Sequence, residues 1–421
     1  MFLDSGRPLD TRERYDILVF DPVATLVTRG LQTEIKRSAD RAYSTDDPLK
    51  LLQSELERFP ATTPSDVGLP FAGGAVGYFS YDLGRRFETL PSTAIDVEQL
   101  PDMAVGIYDR AIVVDHAAHR SFYIGPDGTM PILSTSPRAR PELRALDRVQ
   151  TNLDRADYFA AFERVIDYIR AGDCYQVNLA RRFALPVAGD PWVSYRCLRS
   201  ISPAPCGAYL NTPEVQILSV SPERFLQVRG DGVETRPIKG TRPRAANADM
   251  DRRLAQELLT SAKDRAENVM IVDLLRNDLG KVCAPGSVNV QALCALESFS
   301  NVHHLVSTIT GRIPPQRHAL DVMRACFPGG SITGAPKIRA MQIIEELERE
   351  RRGVYCGAIG YVGFDGSMDM NIAIRTMLHA NGHVRFWAGG GIVADSVAEA
   401  EYQEAATKAS AMLKLLGIDA I

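Results

Sequence analysis

Residues 215–241, VQILSVSPERFLQVRGDGVETRPIKGT, carry the clearest structural signal in the chain. Three runs rich in apolar and β-branched residues (215–220, 224–229 and 232–238) are separated by Ser221-Pro222 and by Gly230-Asp231-Gly232. A Gly-Asp-Gly turn between two such runs predicts a β-hairpin, in which residues equally far from the turn face each other. Glu223 and Lys239 each lie eight residues from Asp231. An unbulged ladder would therefore set them opposite one another, with Cβ atoms roughly 5 Å apart. Pro222 and Pro237 mark the end where regular pairing stops.

Working outward, residues 174–183 alternate Tyr175, Val177 and Leu179 with Gln176 and Asn178, the period of a half-buried strand. A further strand is predicted at 207–210. Asp154 is a candidate N-cap for a helix with apolar residues at 158, 159, 162, 165, 166 and 169, which Gly172 would end. Helical patterns also cover 250–278, 336–351 and 396–416. Near the start, short β-like runs fall at 15–20, 75–81 and 111–115. Hairpins interrupted by long helices imply an antiparallel α+β architecture, not a doubly wound parallel sheet. The Pro-, Ser-, Thr- and Arg-rich stretch 129–152 reads as a connector. It divides an N-terminal region, 1–150, from a region that carries the chemistry, 151–421, with both expected to contribute to one compact unit.

Bulk properties narrow the partner. Hydrophobic residues make up 45% of the 421, enough for a full core, and the net charge of −4 has no basic stripe, so a small molecule is favoured over nucleic acid. Residues 1–7 lack the apolar stretch of a secretory signal, and no apolar run approaches the ~20 residues that span a bilayer. The expected compartment is the cytosol, without a membrane partner. The seven cysteines are scattered and never form CxxC, so they read as free thiols.

Three constellations could carry chemistry. On spacing alone, Glu223 and Lys239 read first as a cross-strand salt bridge; a lysine becomes a nucleophile only when burial or a cationic neighbour keeps it neutral. Asp264 and Glu267, and Glu401 and Glu404, are acids three residues apart, so each pair lies on one helix face. Ser396-Val397-Ala398-Glu399 has the capping-box pattern that would start the second of these helices. Such faces are common on solvated helices, but two of them together would suit Mg²⁺. Finally, Gly329-Gly330-Ser331-Ile332-Thr333-Gly334-Ala335-Pro336 runs into a helical pattern, with Thr333 as a candidate cap. Gly329 and Gly334 have the spacing of a nucleotide-binding loop, but Ala335 stands where that loop requires lysine, which argues against ATP.

Ser221-Pro222-Glu223-Arg224-Phe225, Pro237-Ile238-Lys239-Gly240-Thr241 and the acidic stretch 264–278 resemble the chorismate-utilising enzymes, the family that includes anthranilate synthase component I. The resemblance runs on to the C-terminus. It implies an anthranilate synthase-like fold, in which large antiparallel sheets pack orthogonally as a sandwich with helices outside. It also implies a branch of the family. Anthranilate synthases typically have alanine at the Lys239 position, whereas in the branch that aminates chorismate at C4 a lysine attacks C2. In that branch Glu223 would protonate the departing C4 hydroxyl.

Carried over in the same way, Mg²⁺ would be held by Glu267 and Glu404, with Asp264 and Glu401 acting directly or through water. Thr333 and Gly334 would belong to a loop that cradles a substrate carboxylate. Arg375 and Lys408 would contact a second carboxylate, Tyr355, Gly390 and Gly391 would line the pocket, and His304 would lie near the substrate hydroxyl. Family members that add water to chorismate have a lysine at the Gln176 position; glutamine cannot activate water, which favours an amine donor. The chain has no Cys-centred glutaminase motif, so the resemblance implies ammonia from a separate glutamine amidotransferase subunit. The alternatives are anthranilate synthase component I itself and a non-catalytic scaffold of the same fold. Regulation by tryptophan is not expected, because Phe2-Leu3-Asp4-Ser5 replaces the Leu-Leu-Glu-Ser segment of the regulated enzymes.

Overall fold

The computed structural model describes residues 1–6, 14–38, 40–60, 68–126, 140–299 and 302–418. The first part of the predicted connector, 129–139, lies outside them, and the rest carries the short strands Arg144–Ala145 and Gln150–Thr151. Two antiparallel sheets, each of 12 strands among the described residues, form the frame. In the first, Gln176–Ala188 pairs with His383–Ile392, followed by Thr376–Ala380, Gln216–Ser221, Cys206–Asn211, Phe2–Asp4, Tyr15–Val19, Ala111–Asp115 and Arg120–Ile124. In the second, Val302–Arg312 lies beside both Ile238–Pro243 and Gly232–Thr235. The order continues through Arg224–Arg229, Met368–Ile372, Ala358–Gly363, Gly74–Phe79, Met103–Tyr108, Ala24–Arg29, Gln32–Arg37 and Asp40–Ser44.

One buried cluster joins the sheets face to face. It takes Leu26, Phe79, Val105 and Leu226 from the second and Ala208, Ile217, Leu378 and Trp387 from the first. Each fully buried Leu, Ile or Phe contributes roughly 1.5–3 kcal/mol, so the contact between the sheets is the main source of stability. Strands covered on one face show the predicted alternation, as in Ala111–Asp115. Gly74–Phe79, Met103–Tyr108 and Ala358–Gly363 are buried at every residue because both their faces are covered. Helices Arg155–Arg170 and Lys337–Leu347 pack on the outer side of Gln176–Ala188 through Phe162, Val165, Ile343 and Ile344, against Val177 and Leu179.

The predicted helix over 250–278 is two helices. Ala248–Thr260 ends and Ala262–Gly280 begins at Ser261, whose extended backbone (ψ 110°) breaks the run and whose side chain caps the second helix at Asp264. The last helix, Ala398–Leu415, starts without the expected capping box. The Ser396 hydroxyl donates instead to Glu401 at 2.7 Å. Asp154 does cap Arg155–Arg170, through the amide of Asp157.

Two of the points at which the chain passes from one sheet to the other are adjacent. Residues 222–223 link Gln216–Ser221 to Arg224–Arg229, and residues 373–375 link Met368–Ile372 to Thr376–Ala380. The crossings are tied together: the amide of Ile372 donates to the Glu223 carbonyl at 3.0 Å, the Ser221 hydroxyl to the Ile372 carbonyl at 2.6 Å, and the amide of Val220 to the Arg375 carbonyl at 3.2 Å.

Candidate active site

The hairpin forms, but its arithmetic differs from the sequence expectation. Arg229 pairs with Gly232, so the turn is centred between Gly230 and Asp231, not on Asp231. The ladder ends at Gln227 with Glu234. Beyond Pro237 the chain pairs with Val302–Arg312 instead, with Ile238 opposite Val306 and Thr241 opposite His304. Glu223 and Lys239 are therefore not cross-strand partners in one ladder. Glu223 sits on the crossing between sheets, and Lys239 sits in an irregularity of the edge strand.

That irregularity has a local cause. The register shifts between Ile238 and Thr241, and Gly240 has φ +82° with no room for a side chain: an added Cβ would lie 2.8 Å from Leu258 and 3.0 Å from Asp264. Such a bulge redirects the side chain beside it. Lys239 Nζ donates to the Ser331 carbonyl at 2.9 Å. The Glu223 carboxylate, buried beside it, accepts from the Ser331 hydroxyl and the Ile238 amide.

Burial dominates both groups. It lowers the Lys239 amine below its ordinary value, against the pull of Glu223 and Glu267, and it raises the Glu223 carboxyl, against the pull of Lys239. Both directions favour an uncharged pair, because an enclosed site penalises each ion. A surface salt bridge, the first reading of the spacing, does not describe a buried Glu223 beside a half-buried Lys239 whose amine is bonded to a backbone carbonyl.

The acidic helices converge on the same place. Glu267, on Ala262–Gly280, and Glu404, on Ala398–Leu415, both act electrostatically on Lys239. Gly390 permits this approach, since a Cβ there would lie 3.0 Å from Glu401 Oε2, 3.6 Å from Glu404 Oε1 and 3.7 Å from Lys408 Nζ. Burial raises the carboxyl of Glu267, an effect that Lys239 and Lys263 oppose. Burial also works to raise Glu404, but Lys408 outweighs it and the net shift is downward. Among the described residues no three His, Cys, Asp or Glu side chains stand close enough together to hold an ion. Lysines are interposed, with Lys263 Nζ 3.6 Å from Glu401 and 4.0 Å from Glu267, and Lys408 Nζ 2.6 Å from Glu404. Asp264 points to a different partner, Arg242, at 3.2 Å. The acids that remain around Lys263 are thus Glu267, Glu401 and Glu404.

The glycine loop also departs from expectation. Thr333 does not cap the following helix; its hydroxyl turns back to the carbonyl of Gly329 at 3.0 Å, and Pro336 stands at the N-cap of Lys337–Leu347 without a side-chain bond. Gly334 and Ala335 instead form a short bridge to Val177 and Gln176. Gly334 meets that strand so closely that an added Cβ would overlap the Gln176 carbonyl at 2.1 Å. The loop is thus fixed by a sheet contact.

The remaining candidates fall into two groups. Gln176 is fully buried and neither of its amide atoms has a partner among the described residues; Gly391 leaves the space its side chain occupies. Arg375, with φ +50°, has no carboxylate within salt-bridge distance among the described residues, and burial alone lowers its pKa. These two groups are uncompensated, which suits a polar, anionic ligand. The others are already engaged. His304 bonds Thr241 Oγ1 at 2.9 Å and the Gly240 backbone, and burial lowers its pKa to about 4, so it is a neutral strut for the Lys239 bulge. Tyr355 is buried and stacks on Trp387 at 5.8 Å, and Lys408 donates to the Gly389 carbonyl at 2.9 Å. Sequence reasoning missed Ser331 and Lys263. The spacing of Lys263 to Glu267, i to i+4, was a signal for the second; a backbone acceptor such as the Ser331 carbonyl leaves none.

Comparison with known proteins identifies the family. The family model described as chorismate binding enzyme matches residues 1–414. Aminodeoxychorismate synthase component 1 of Salmonella typhimurium is 50% identical over 418 residues, covering 98% of this chain and 92% of the relative. Anthranilate synthase component 1 of Thermus thermophilus is 43% identical, covering 88% and 82%. Among solved structures, anthranilate synthase component I of Streptococcus pneumoniae superposes with a TM-score of 0.83 at 34% identity, covering 95% of this chain and 92% of the other.

Proposed function

The chain belongs to the family of chorismate binding enzymes, and from this premise we propose that it catalyses the aminodeoxychorismate synthase component 1 reaction, chorismate plus ammonia to 4-amino-4-deoxychorismate and water. The observation that carries the mechanism is the Lys239–Glu223 pair, the acid buried and the amine half-buried, shifted by desolvation toward a neutral amine and a protonated acid. Those are the forms a nucleophile and a proton donor need.

In the proposed sequence the Lys239 amine forms a bond to C2 of chorismate while the C4 hydroxyl leaves as water, taking its proton from Glu223. Ammonia then forms a bond at C4 and expels Lys239 from C2. The Ser331 carbonyl, at 2.9 Å from Lys239 Nζ, orients the amine and accepts one of its protons in a hydrogen bond. Arg375 and Gln176, which lack side-chain partners among the described residues, are assigned to substrate polar groups. Thr333, Gly334, Tyr355, Gly390 and Gly391 form the walls around it.

Glu267, Glu401 and Glu404 are hard oxygen donors on two helices, with Gly390 leaving room beside Glu401 and Glu404; they stand apart around Lys263 and would hold a divalent cation by drawing together in its place. Bound there, Mg²⁺ would supply positive charge for a substrate carboxylate. Asp264, bonded to Arg242, is left to support the helix. The relatives' designation as component 1 goes with a second component, which we take to be a glutamine amidotransferase that provides ammonia. A separate lyase would release 4-aminobenzoate for folate synthesis.

The Thermus and Streptococcus matches favour a second reading, anthranilate synthase, which uses the same substrate but also eliminates pyruvate. Lys239 opposes it. Incubation of the purified protein with chorismate, Mg²⁺ and ammonium separates the two by product: 4-amino-4-deoxychorismate is expected, and anthranilate or no amination would overturn the assignment. Intact-mass analysis of a trapped adduct tests the covalent step, which fails if the Lys239→Ala variant carries the same adduct.

A further inference from the structure

The glutamates assigned above to a divalent ion already share a cation. Lys263 Nζ stands 3.6 Å from Glu401 Oε1 and 4.0 Å from Glu267 Oε1, and its charge also acts on Glu404. Among the three lysines of the cluster it is held differently from the other two. Lys239 is half-buried and bonded to the Ser331 carbonyl at 2.9 Å. Lys408 is bonded to Glu404 and to the Gly389 carbonyl. Both contacts of Lys263 are longer than a hydrogen bond, and 51% of its side chain is exposed.

Carboxylates brought together from two helices repel unless a cation lies between them. The Lys263 ammonium supplies that charge from the first turn of Ala262–Gly280, one turn before Glu267. A change of rotamer would carry its head into water while its stem stays on the helix surface, with no backbone movement.

We propose that Lys263 is a placeholder cation: it offsets the facing glutamates in the metal-free protein and withdraws when a divalent ion enters, so that it sets the affinity for that ion. The proposal rests on the metal reading given above. It reverses the usual expectation for a charged residue at a binding site, because removing Lys263 should strengthen ion binding.

Titration calorimetry with MgCl₂ alone, and thermal unfolding in EDTA and in saturating MgCl₂, test this on the full chain. Lys263→Met keeps the length of the side chain and removes its charge. The variant is expected to bind Mg²⁺ about threefold to tenfold more tightly, the scale of one partly exposed charge acting on a dication. Its Tm in EDTA should fall below that of the wild type, while its Tm in MgCl₂ should not, so that the rise on adding metal is larger. Lys263→Arg, which keeps the charge, should stay near the wild-type affinity. Equal or weaker Mg²⁺ binding by Lys263→Met, or a metal-induced rise no larger than in the wild type, would overturn the placeholder role. If the wild type itself shows neither heat nor a Tm shift with MgCl₂, the metal reading fails first and this inference with it.

Discussion

At Lys239 two influences compete: enclosure lowers the pKa of the amine, and the carboxylates of Glu223 and Glu267 raise it. The net shift is downward, and that of Glu223 is upward, so the reactive state requires Lys239 neutral and Glu223 protonated. Amination should therefore fall on the acid side as Lys239 gains a proton and on the alkaline side as Glu223 loses one. Glu223→Gln should lower kcat by about 10²–10⁴-fold and abolish the alkaline limb, measured at constant free ammonia. A limb that survives in this variant belongs to another group. His304 gives a stability prediction of definite sign. Its pKa is about 4 in the fold, below the ordinary 6.5, so the unfolded chain binds the extra proton between those values. The contribution of neutral His304 is complete above pH 6.5 and is lost as pH falls through 4, at most roughly 3 kcal/mol by linkage. His304→Gln should flatten the urea-derived stability across that window. The identities of these residues were legible in the sequence. Their protonation was not, because desolvation depends on what packs around a side chain.

Elements hold the site through a few buried contacts. Glu348 and Arg352, at the end of Lys337–Leu347, form an enclosed ion pair at 2.6 Å. Arg352 also donates to the Ile332 carbonyl in the glycine loop at 2.8 Å and to the Asn178 carbonyl at 2.9 Å, while Glu348 accepts from the Ala180 amide at 2.9 Å. One pair thus joins the loop to the strand that carries Gln176. Arg352→Met should cost on the order of 3–5 kcal/mol, because it leaves Glu348 buried and unpaired. Adding Glu348→Leu should recover part of that loss but not all, since the carbonyls of Ile332 and Asn178 and the amide of Ala180 stay unsatisfied. Urea unfolding of the two singles and the double measures the coupling, and strictly additive losses would show that the pair is not the unit. Apolar period gave the longer helices and the strands around the hairpin, but not the helices Pro48–Leu56, Pro191–Ile201 and Ala319–Cys326 or many of the short strands. It did not give the break at Ser261 or the bulge at Gly240, where a single backbone angle interrupts a continuing pattern.

On the scale of the whole molecule, the two halves of the chain are interleaved. Phe2–Asp4 lies between Cys206–Asn211 and Tyr15–Val19, and Gly74–Phe79 lies between Ala358–Gly363 and Met103–Tyr108. Fragments 1–150 and 151–421 expressed separately should each fail to fold, because Phe2–Asp4 and Gly74–Phe79 in one, and Cys206–Asn211 and Ala358–Gly363 in the other, would each lose a partner and expose an edge. The intact chain should unfold in one transition, with far-ultraviolet circular dichroism and the fluorescence of Trp192 and Trp387 superimposed. A stable, soluble 151–421 fragment would contradict this. By itself the sequence determined the antiparallel α+β class, the motif residues and the family they belong to, because periodicity, turn chemistry and side-chain type are local properties. Tertiary structure alone decided that Glu223 and Lys239 meet across a crossing between sheets and not along one hairpin, that Asp264 turns to Arg242, and that Lys263 stands among the glutamates. Each of those depends on long-range packing, in which the partner is chosen by the sheet or helix that arrives from elsewhere in the chain.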